Sequence, residues 1–511
     1  MSMSRYLRFL KPAAIAAVVF VLGCRAPFEP DPVGVIPPPP PGPPSPLLPF
    51  RLGSFGADFA KAVAVDPSGS AYVTSSFSNT LDFDPGSSNV SKISQGGTDI
   101  AIAKYWTDGS LAWVLSFGGV GADIPYDVKV MPNGTSYVVG YQSGGALCSG
   151  KVIPNAGGRD AFIARISPAG VCEWALGIGG TLDDEARNLT VEPNGDIVVT
   201  GAFRGSVDFD AGGGATVLVS RGGSDVFVAR YSAAGAFQQV VQFGGIDDDA
   251  GSAIARTSEG DLIVGGEFRA SATFGSALAP VVLVSAGVSD YFVTRLATGL
   301  GLQWAIRGGG TGTDLIGTGG IIADPNGTIL VTGLFSDVAD VDPGPSTVLL
   351  TSQGLSDIFL VRYDGAGVWS GLAQRIGGTG SDGVQGFARG SDGNLYLSGW
   401  FQGEVDFDPG SAVKALNSSG TSGAADGFVL SLSQAAEFRW VAPVGSVIAG
   451  DANFSIASGL AVTGDGAVWA VGRFFGLADL DPATTAVQVQ SLGDADEWVV
   501  RYQAANGTLL R

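Results

Sequence analysis

Short runs of β-branched, aliphatic and aromatic residues recur along the chain, each cut off by a turn rich in glycine, asparagine or proline. One stretch displays the unit. Residues 188–192 are a short apolar run, and Pro193-Asn194-Gly195 is a turn. Residues 196–203 (DIVVTGAF), 225–231 (DVFVARY) and 237–243 (FQQVVQF) read as three further strands, the last closed by Gly244-Gly245. A looser insert carries Asp208-Phe209-Asp210 and Thr216-Val217-Leu218-Val219, with room for a short fifth strand. Such runs between close turns predict antiparallel meanders. Alternation along 225–231 places Asp225, Phe227 and Tyr231 on one face and Val226, Val228 and Arg230 on the other.

The unit repeats. One aspartate follows each glycine-rich turn: Asp58, Asp123, Asp184, Asp249, Asp314, Asp382 and Asp451. A second opens each third strand: Asp99, Asp160, Asp225, Asp290, Asp357, Asp426 and Asp496. Both series count seven, the first at a spacing of roughly 61 to 69 residues, longer than a WD40 repeat. Four strands per repeat predict an all-β fold, a seven-bladed β-propeller of four-stranded antiparallel blades. Repeats start near residues 57, 122, 183, 248, 313, 381 and 450 of a domain spanning 47–511. The seventh repeat has a third strand and a turn at Asn506-Gly507 but no fourth strand. Residues 47–55 (LLPFRLGSF) stand ahead of the first repeat, where a fourth strand belongs. This N-terminal strand is expected to complete the last blade and remove an open sheet edge.

The recurring phrases include AVDPSG at 64–69, YLSG at 396–399, DFDPG at 406–410, SDVFVAR at 224–230 and FGG at 243–245. In these the chain resembles the SBBP-type β-propeller repeat family of bacterial surface proteins. The resemblance covers nearly all of residues 50–511. It implies a propeller and a surface or secreted location, and no single activity.

Charge and composition narrow the function classes. The net charge is -20, from 28 basic and 48 acidic side chains, which argues against nucleic acid or an anionic membrane surface as partner. There is no histidine, so Ser-His-Asp, Cys-His and His-based zinc chemistry are excluded within the chain. The glycine-rich turns lack the lysine and helix of a phosphate loop.

The N-terminus reads as an address. Arg5, Arg8 and Lys11 precede an apolar stretch from Ala13 to Leu22, too short to span a bilayer comfortably. It ends in Val21-Leu22-Gly23-Cys24, which resembles the lipobox of bacterial lipoproteins. That resemblance implies a signal peptide over 1–23 and lipidation of Cys24, with ordinary signal cleavage or an uncleaved anchor as alternatives. Twelve of the 27 prolines fall in residues 25–49, so 24–46 reads as an extended or disordered tether.

Four constellations are candidates for chemistry or packing. The Asp-x-Asp pairs Asp82/Asp84, Asp208/Asp210, Asp340/Asp342, Asp406/Asp408 and Asp479/Asp481 carry hard oxygen donors suited to Ca²⁺, although Asp-Pro-Gly is equally an ordinary turn and the turn is favoured. The basic positions Lys104, Arg165, Arg230, Arg295, Arg362 and Arg501 predict, with the aspartates, either ion pairs between blades or aspartates that cap turns. Trp113, Trp174, Trp304 and Trp440 hold one register, five residues ahead of a closing glycine, and predict packing between blades. Cys148 and Cys172, the two cysteines left beside Cys24, are expected to form a disulfide in an oxidising compartment.

The expected function is non-enzymatic: an exported, membrane-anchored lipoprotein at the outer membrane or cell surface. It would be a monomer that binds a surface protein or glycan through its loops, without nucleic acid and without a cofactor beyond possible calcium. The rival expectation is a Ca²⁺-assisted or carboxylate-based hydrolase or lyase acting on glycans. Its nearest acidic candidates are Asp183-Asp184-Glu185 and Asp247-Asp248-Asp249, which read more simply as solvated loops.

Overall fold

The structure, a computed structural model, describes residues 48–419, 424–446, 453–481 and 486–511. The expected signal peptide, Cys24, the tether and Asp451 lie outside the described residues. The described residues are all β, and seven antiparallel blades follow one another round a ring. The inner strands are Phe59–Val65, Ile124–Val130, Glu185–Val191, Ala250–Arg256, Asp314–Ala323, Gly383–Arg389 and Phe454–Val462, and neighbours among them stand side by side round the axis. Each blade then meanders outward through three more strands, in blade three through Ile197–Asp208, Val217–Tyr231 and Phe237–Gly245.

The apolar core lies between blades. Blade one supplies Val73, Phe77 and Ala101 to a cluster that Trp469, Val471 and Val499 of blade seven complete. The second strand of each blade is therefore covered on both faces, as in Ala71–Phe77, where every residue is buried. Such a run carries no alternation, so its burial follows from position in the ring.

Closure takes the expected form. Phe50–Leu52 pairs antiparallel with Asp496–Gln503, in the register Phe50↔Val499 and Leu52↔Glu497. It occupies the outermost place of blade seven. Leu48, Phe50 and Leu52 are buried, and Arg51 donates to the buried Asp496 at 2.8 Å.

Two features depart from the sequence expectation. In five repeats the insert is a two-stranded hairpin that extends the preceding blade; in repeat three it continues the second and third strands of its own blade, and in repeat one it is a separate hairpin of Thr80–Asp82 with Ser91–Ile93. Ser271–Phe274 joins the outer strand of blade three through Gly244↔Thr273, and Val338–Asp340 joins that of blade four through Gly309↔Asp340. The inner strand of blade three also starts earlier than the apolar run, at Glu185. Arg187 is an extra residue in a β-bulge, which breaks the two-residue period and hides the first half of the strand.

Candidate functional site

The repeated aspartates prove to be joints. Those opening the inner strands accept the N–H of the residue four before them, at the end of the preceding outer strand. The donors are Ser54, Gly119, Gly180, Gly245, Gly310 and Gly378, at 2.7–2.8 Å. Except in Asp314, the other oxygen takes an N–H near the end of the second strand, as Asp123 does from Ser143 at 3.0 Å and Asp184 from Arg204 at 2.8 Å. The second series caps its own turn, Asp99 accepting from Gln95 at 3.1 Å and Asp290 from Ala286 at 3.0 Å.

The two series meet across a glycine. A methyl group on Gly118 would stand 2.7 Å from Asp99 Oδ1 and 2.8 Å from Asp123 Oδ2, so no side chain fits. The same holds for Asp290 and Asp314 across Gly309. Burial, then the neighbouring carboxylate among other causes, pushes Asp123 up to about 6 and Asp184, Asp249, Asp314 and Asp382 up to about 7. Arginines on outer strands offset part of the charge: Arg307 meets Asp290 and Arg375 meets Asp357, both at 2.7 Å.

The basic positions do not make ion pairs between blades. Their acids sit on turns of the same blade: Lys104 with Asp66 at 2.9 Å, Arg230 with Glu192 at 3.1 Å, Arg295 with Asp261 at 2.9 Å and Arg501 with Asp465 at 3.2 Å. The tryptophans do bind blade to blade. Trp113, Trp174, Trp304 and Trp440 each donate their indole N–H to a carbonyl on the next blade's outer turn, at 3.0–3.2 Å.

The Asp-x-Asp pairs fold their own hairpins. In each, the first carboxylate accepts two backbone N–H groups: Asp82 from Asp84 and Val90, Asp208 from Asp210 and Thr216, Asp340 from Asp342 and Val348, Asp406 from Asp408 and Lys414, and Asp479 from Asp481 and Val487. Among the described residues no group of three or more acidic or cysteine side chains is placed to hold a metal ion. Cys148, in the insert hairpin, and Cys172, at the start of blade two's outer strand, form a disulfide with a sequence separation of 24. Closing such a loop stabilises by about 3 kcal/mol in the chain-entropy account.

With the repeated groups engaged, the place where the blades differ stands out. Six of the seven inner strands carry a one-residue β-bulge. The extra residue is Lys61, Tyr126, Arg187, Ser252, Gln385 or Ser458 in blades one, two, three, four, six and seven. Blade five instead fits Gly317 to Gly320 opposite the single residue Thr332. This loop reaches across the axis: a methyl group on Gly319 would stand 3.7 Å from Asn188 Nδ2. The result is a cavity of about 380 Å³ at the axis, lined by Lys61, Tyr126, Gln385, Trp400, Ser458 and Arg473 among others.

Its charge is opposite to that of the molecule. Lys129 is neutralised by Asp127 at 2.7 Å, and Asn188 donates to the same carboxylate at 2.7 Å. Lys61 and Arg473 have no acidic partner. Lys61 lies over the Phe59 ring, Nζ 5.3 Å from its centroid, and Arg473 lies 4.8 Å from the same centroid. Burial and the neighbouring Arg473 push Lys61 down to about 8, and burial also lowers Arg473. Sequence reasoning passed over all of these residues. The signal was there in the non-identity of one register position across the seven inner strands.

The acidic clusters at Asp183 and Asp247 line a second cavity of about 290 Å³ between blades three and four. Arginines occupy them: Arg204 meets Asp248 at 3.3 Å, and Arg159 and Arg187 meet Glu185 at 3.2 and 3.3 Å.

No family model matches the chain. It is 24% identical over 247 residues to an uncharacterized WD repeat-containing protein of Acanthamoeba polyphaga mimivirus, covering 43% of this chain and 18% of that protein. It is 30% identical over 113 residues to the regulatory protein FlaEY of Caulobacter vibrioides, covering 22% of this chain and 12% of that one. The chain thus spans under a fifth of the length of either relative. A solved protein of unknown function from Bacteroides caccae aligns with a TM-score of 0.29 and 12% identity, over 61% of this chain and 80% of that one. The extracellular domain of a hybrid two-component system of B. thetaiotaomicron aligns with a TM-score of 0.18 and 11% identity, over 88% and 77%. The blade architecture defines the class: a seven-bladed β-propeller.

Proposed function

We propose that the chain is an exported, lipid-anchored binding module of the bacterial surface, and that it binds its ligand in the axial cavity. One observation carries this reading: the repeated carboxylates accept backbone N–H groups of the blades themselves, whereas Lys61 and Arg473 at the axis rest on the Phe59 ring with no acidic partner. Buried charge is costly unless something neutralises it, so such a pair suits a site for a ligand. The Cys148–Cys172 disulfide supports an oxidising compartment. The lipobox at Cys24, the proline tether and the SBBP-type phrases support the anchor and the surface location. A carboxylate-based hydrolase would need two free acids facing one cleft, and the acids at Glu185 and Asp248 are held by arginines.

Two measurements test this. The purified domain is expected to be retained on an array of surface glycans, with retention reduced in a Gln385→Ala/Trp400→Ala variant that melts like the parent. Metabolic labelling with a radioactive fatty acid is expected to mark the full chain and to miss Cys24→Ser. Retention unaffected by the cavity substitutions would remove the site, and labelling of the Cys24→Ser chain would remove the anchor.

A further inference from the structure

We infer that the ligand of the axial cavity is a carboxylate-bearing sugar, held by Lys61 and Arg473. This depends on the reading of the cavity as the binding site. The chain has a net charge of -20, yet at the axis it places two cations on one aromatic ring with no counter-charge. Mutual repulsion and burial both oppose that arrangement, as the lowered proton affinity of Lys61 reports. An anion between them would relieve both.

Position adds to the case. Lys61 is the bulge residue of the first blade and Arg473 sits on the second strand of the last, so the pair forms only at the seam where the ring closes. The residues equivalent to Arg473 on other blades include Ser76, Ala202, Glu267 and Leu334, so nothing in the repeat imposes a cation there.

The rest of the lining narrows the anion. Gln385 and Ser458 also lack hydrogen-bond partners in the protein and can bond hydroxyl groups. Tyr126, Phe387 and Trp400 supply apolar faces of the kind that pack on the C–H face of a sugar ring. A bare phosphate or sulfate would use the cations and leave these walls idle. A hexuronate uses all three: carboxylate on Lys61 and Arg473, hydroxyls on Gln385 and Ser458, ring on the aromatics.

The test is calorimetric titration of the full propeller with tetragalacturonate, with neutral galactotetraose and inorganic phosphate as parallel probes. Saturable binding of the acidic probe is expected. Lys61→Ala and Arg473→Ala should each weaken it about ten-fold or more, in line with the loss of a charge-assisted contact. Their melting curves, expected to match or exceed the parent because repulsion is relieved, guard against misfolding. No binding of tetragalacturonate, or equal binding by the Lys61→Ala/Arg473→Ala double variant, overturns the assignment. Phosphate binding as tight as tetragalacturonate overturns the sugar. If galactotetraose binds and only Gln385→Ala/Trp400→Ala weakens it, the cavity stands as the site and the anion falls. If no substitution in the cavity affects any probe, both fall.

Discussion

Deleting residues 47–55 from the propeller is expected to abolish its single cooperative unfolding transition. The segment contributes one strand of three residues, Phe50–Leu52, but its loss acts on the whole ring. Leu48, Phe50 and Leu52 are each at most 5% exposed, and burying such side chains is worth about 1.5–3 kcal/mol apiece. Their sum rivals the 5–15 kcal/mol that separates a typical domain from its unfolded state. The deletion also strips Arg51 from the buried Asp496 and leaves the edge of Asp496–Gln503 open for pairing with other chains. Thermal melting by circular dichroism, with size-exclusion chromatography, should show a broadened, early transition and aggregation. The milder Leu52→Ala variant should stay folded and lose about 2–5 kcal/mol, as large-to-small core changes do. A deletion variant with the parent's melting profile would mean that the ring is not held by this strand.

Stability is expected to fall as pH rises from 5 to 8, the reverse of ordinary acid unfolding. The joint aspartates are the reason. Asp58, Asp99, Asp123 and Asp160 are pushed up to about 6, and Asp184, Asp249, Asp314 and Asp382 up to about 7, by burial first. The unfolded value is near 3.8, so the folded chain binds more protons than the unfolded one across this window. A group raised on folding adds stability below its unfolded value, and that stability is lost as pH climbs through its folded value. Asp66, Asp196, Asp248 and Asp392 shift downward and stay ionised throughout the window, so they add no slope. Lys61, lowered to about 8, gives an opposing rise that begins only at the top of the window and continues above it. Each extra proton held by the folded state contributes about 1.4 kcal/mol per pH unit. Urea unfolding at pH 5, 6, 7 and 8 should give a downward slope of at least that size. Asp160→Asn should reduce it by at most about 1.4 kcal/mol per pH unit, chiefly below pH 7, since Asp160 Oδ1 is buried without a partner and an amide there carries no charge. Stability that rises across this range would contradict the account of the joints.

Much of this architecture is legible in the chain. The seven blades follow from two aspartate series, the closing strand from a gap at one end and a spare strand at the other, and the inter-blade role of Trp113, Trp174, Trp304 and Trp440 from their constant register. Even the joints were within reach: Asp99 and Asp123, or Asp290 and Asp314, are separated by the same 24 residues. Two things were hidden. Some insert hairpins attach to the preceding blade where two glycines, such as Gly309 and Gly310, let the backbones approach, and sequence order says nothing about that choice. The axial cavity was hidden because β-bulges at Lys61, Tyr126, Gln385 and Ser458 interrupt the alternation that reveals strands. Repeats are recognised by what they share, and here the groups left free are those the repeats do not share.

The central claim is that recognition occurs at the axis and the repeated carboxylates are structural. Hydrogen–deuterium exchange of the full propeller with and without saturating tetragalacturonate tests it most directly. Added protection is expected along the inner strands at Lys61, Tyr126, Gln385 and Ser458 and at Arg473. Protection confined to the outer hairpins that carry Asp82, Asp208, Asp340, Asp406 and Asp479 would contradict it.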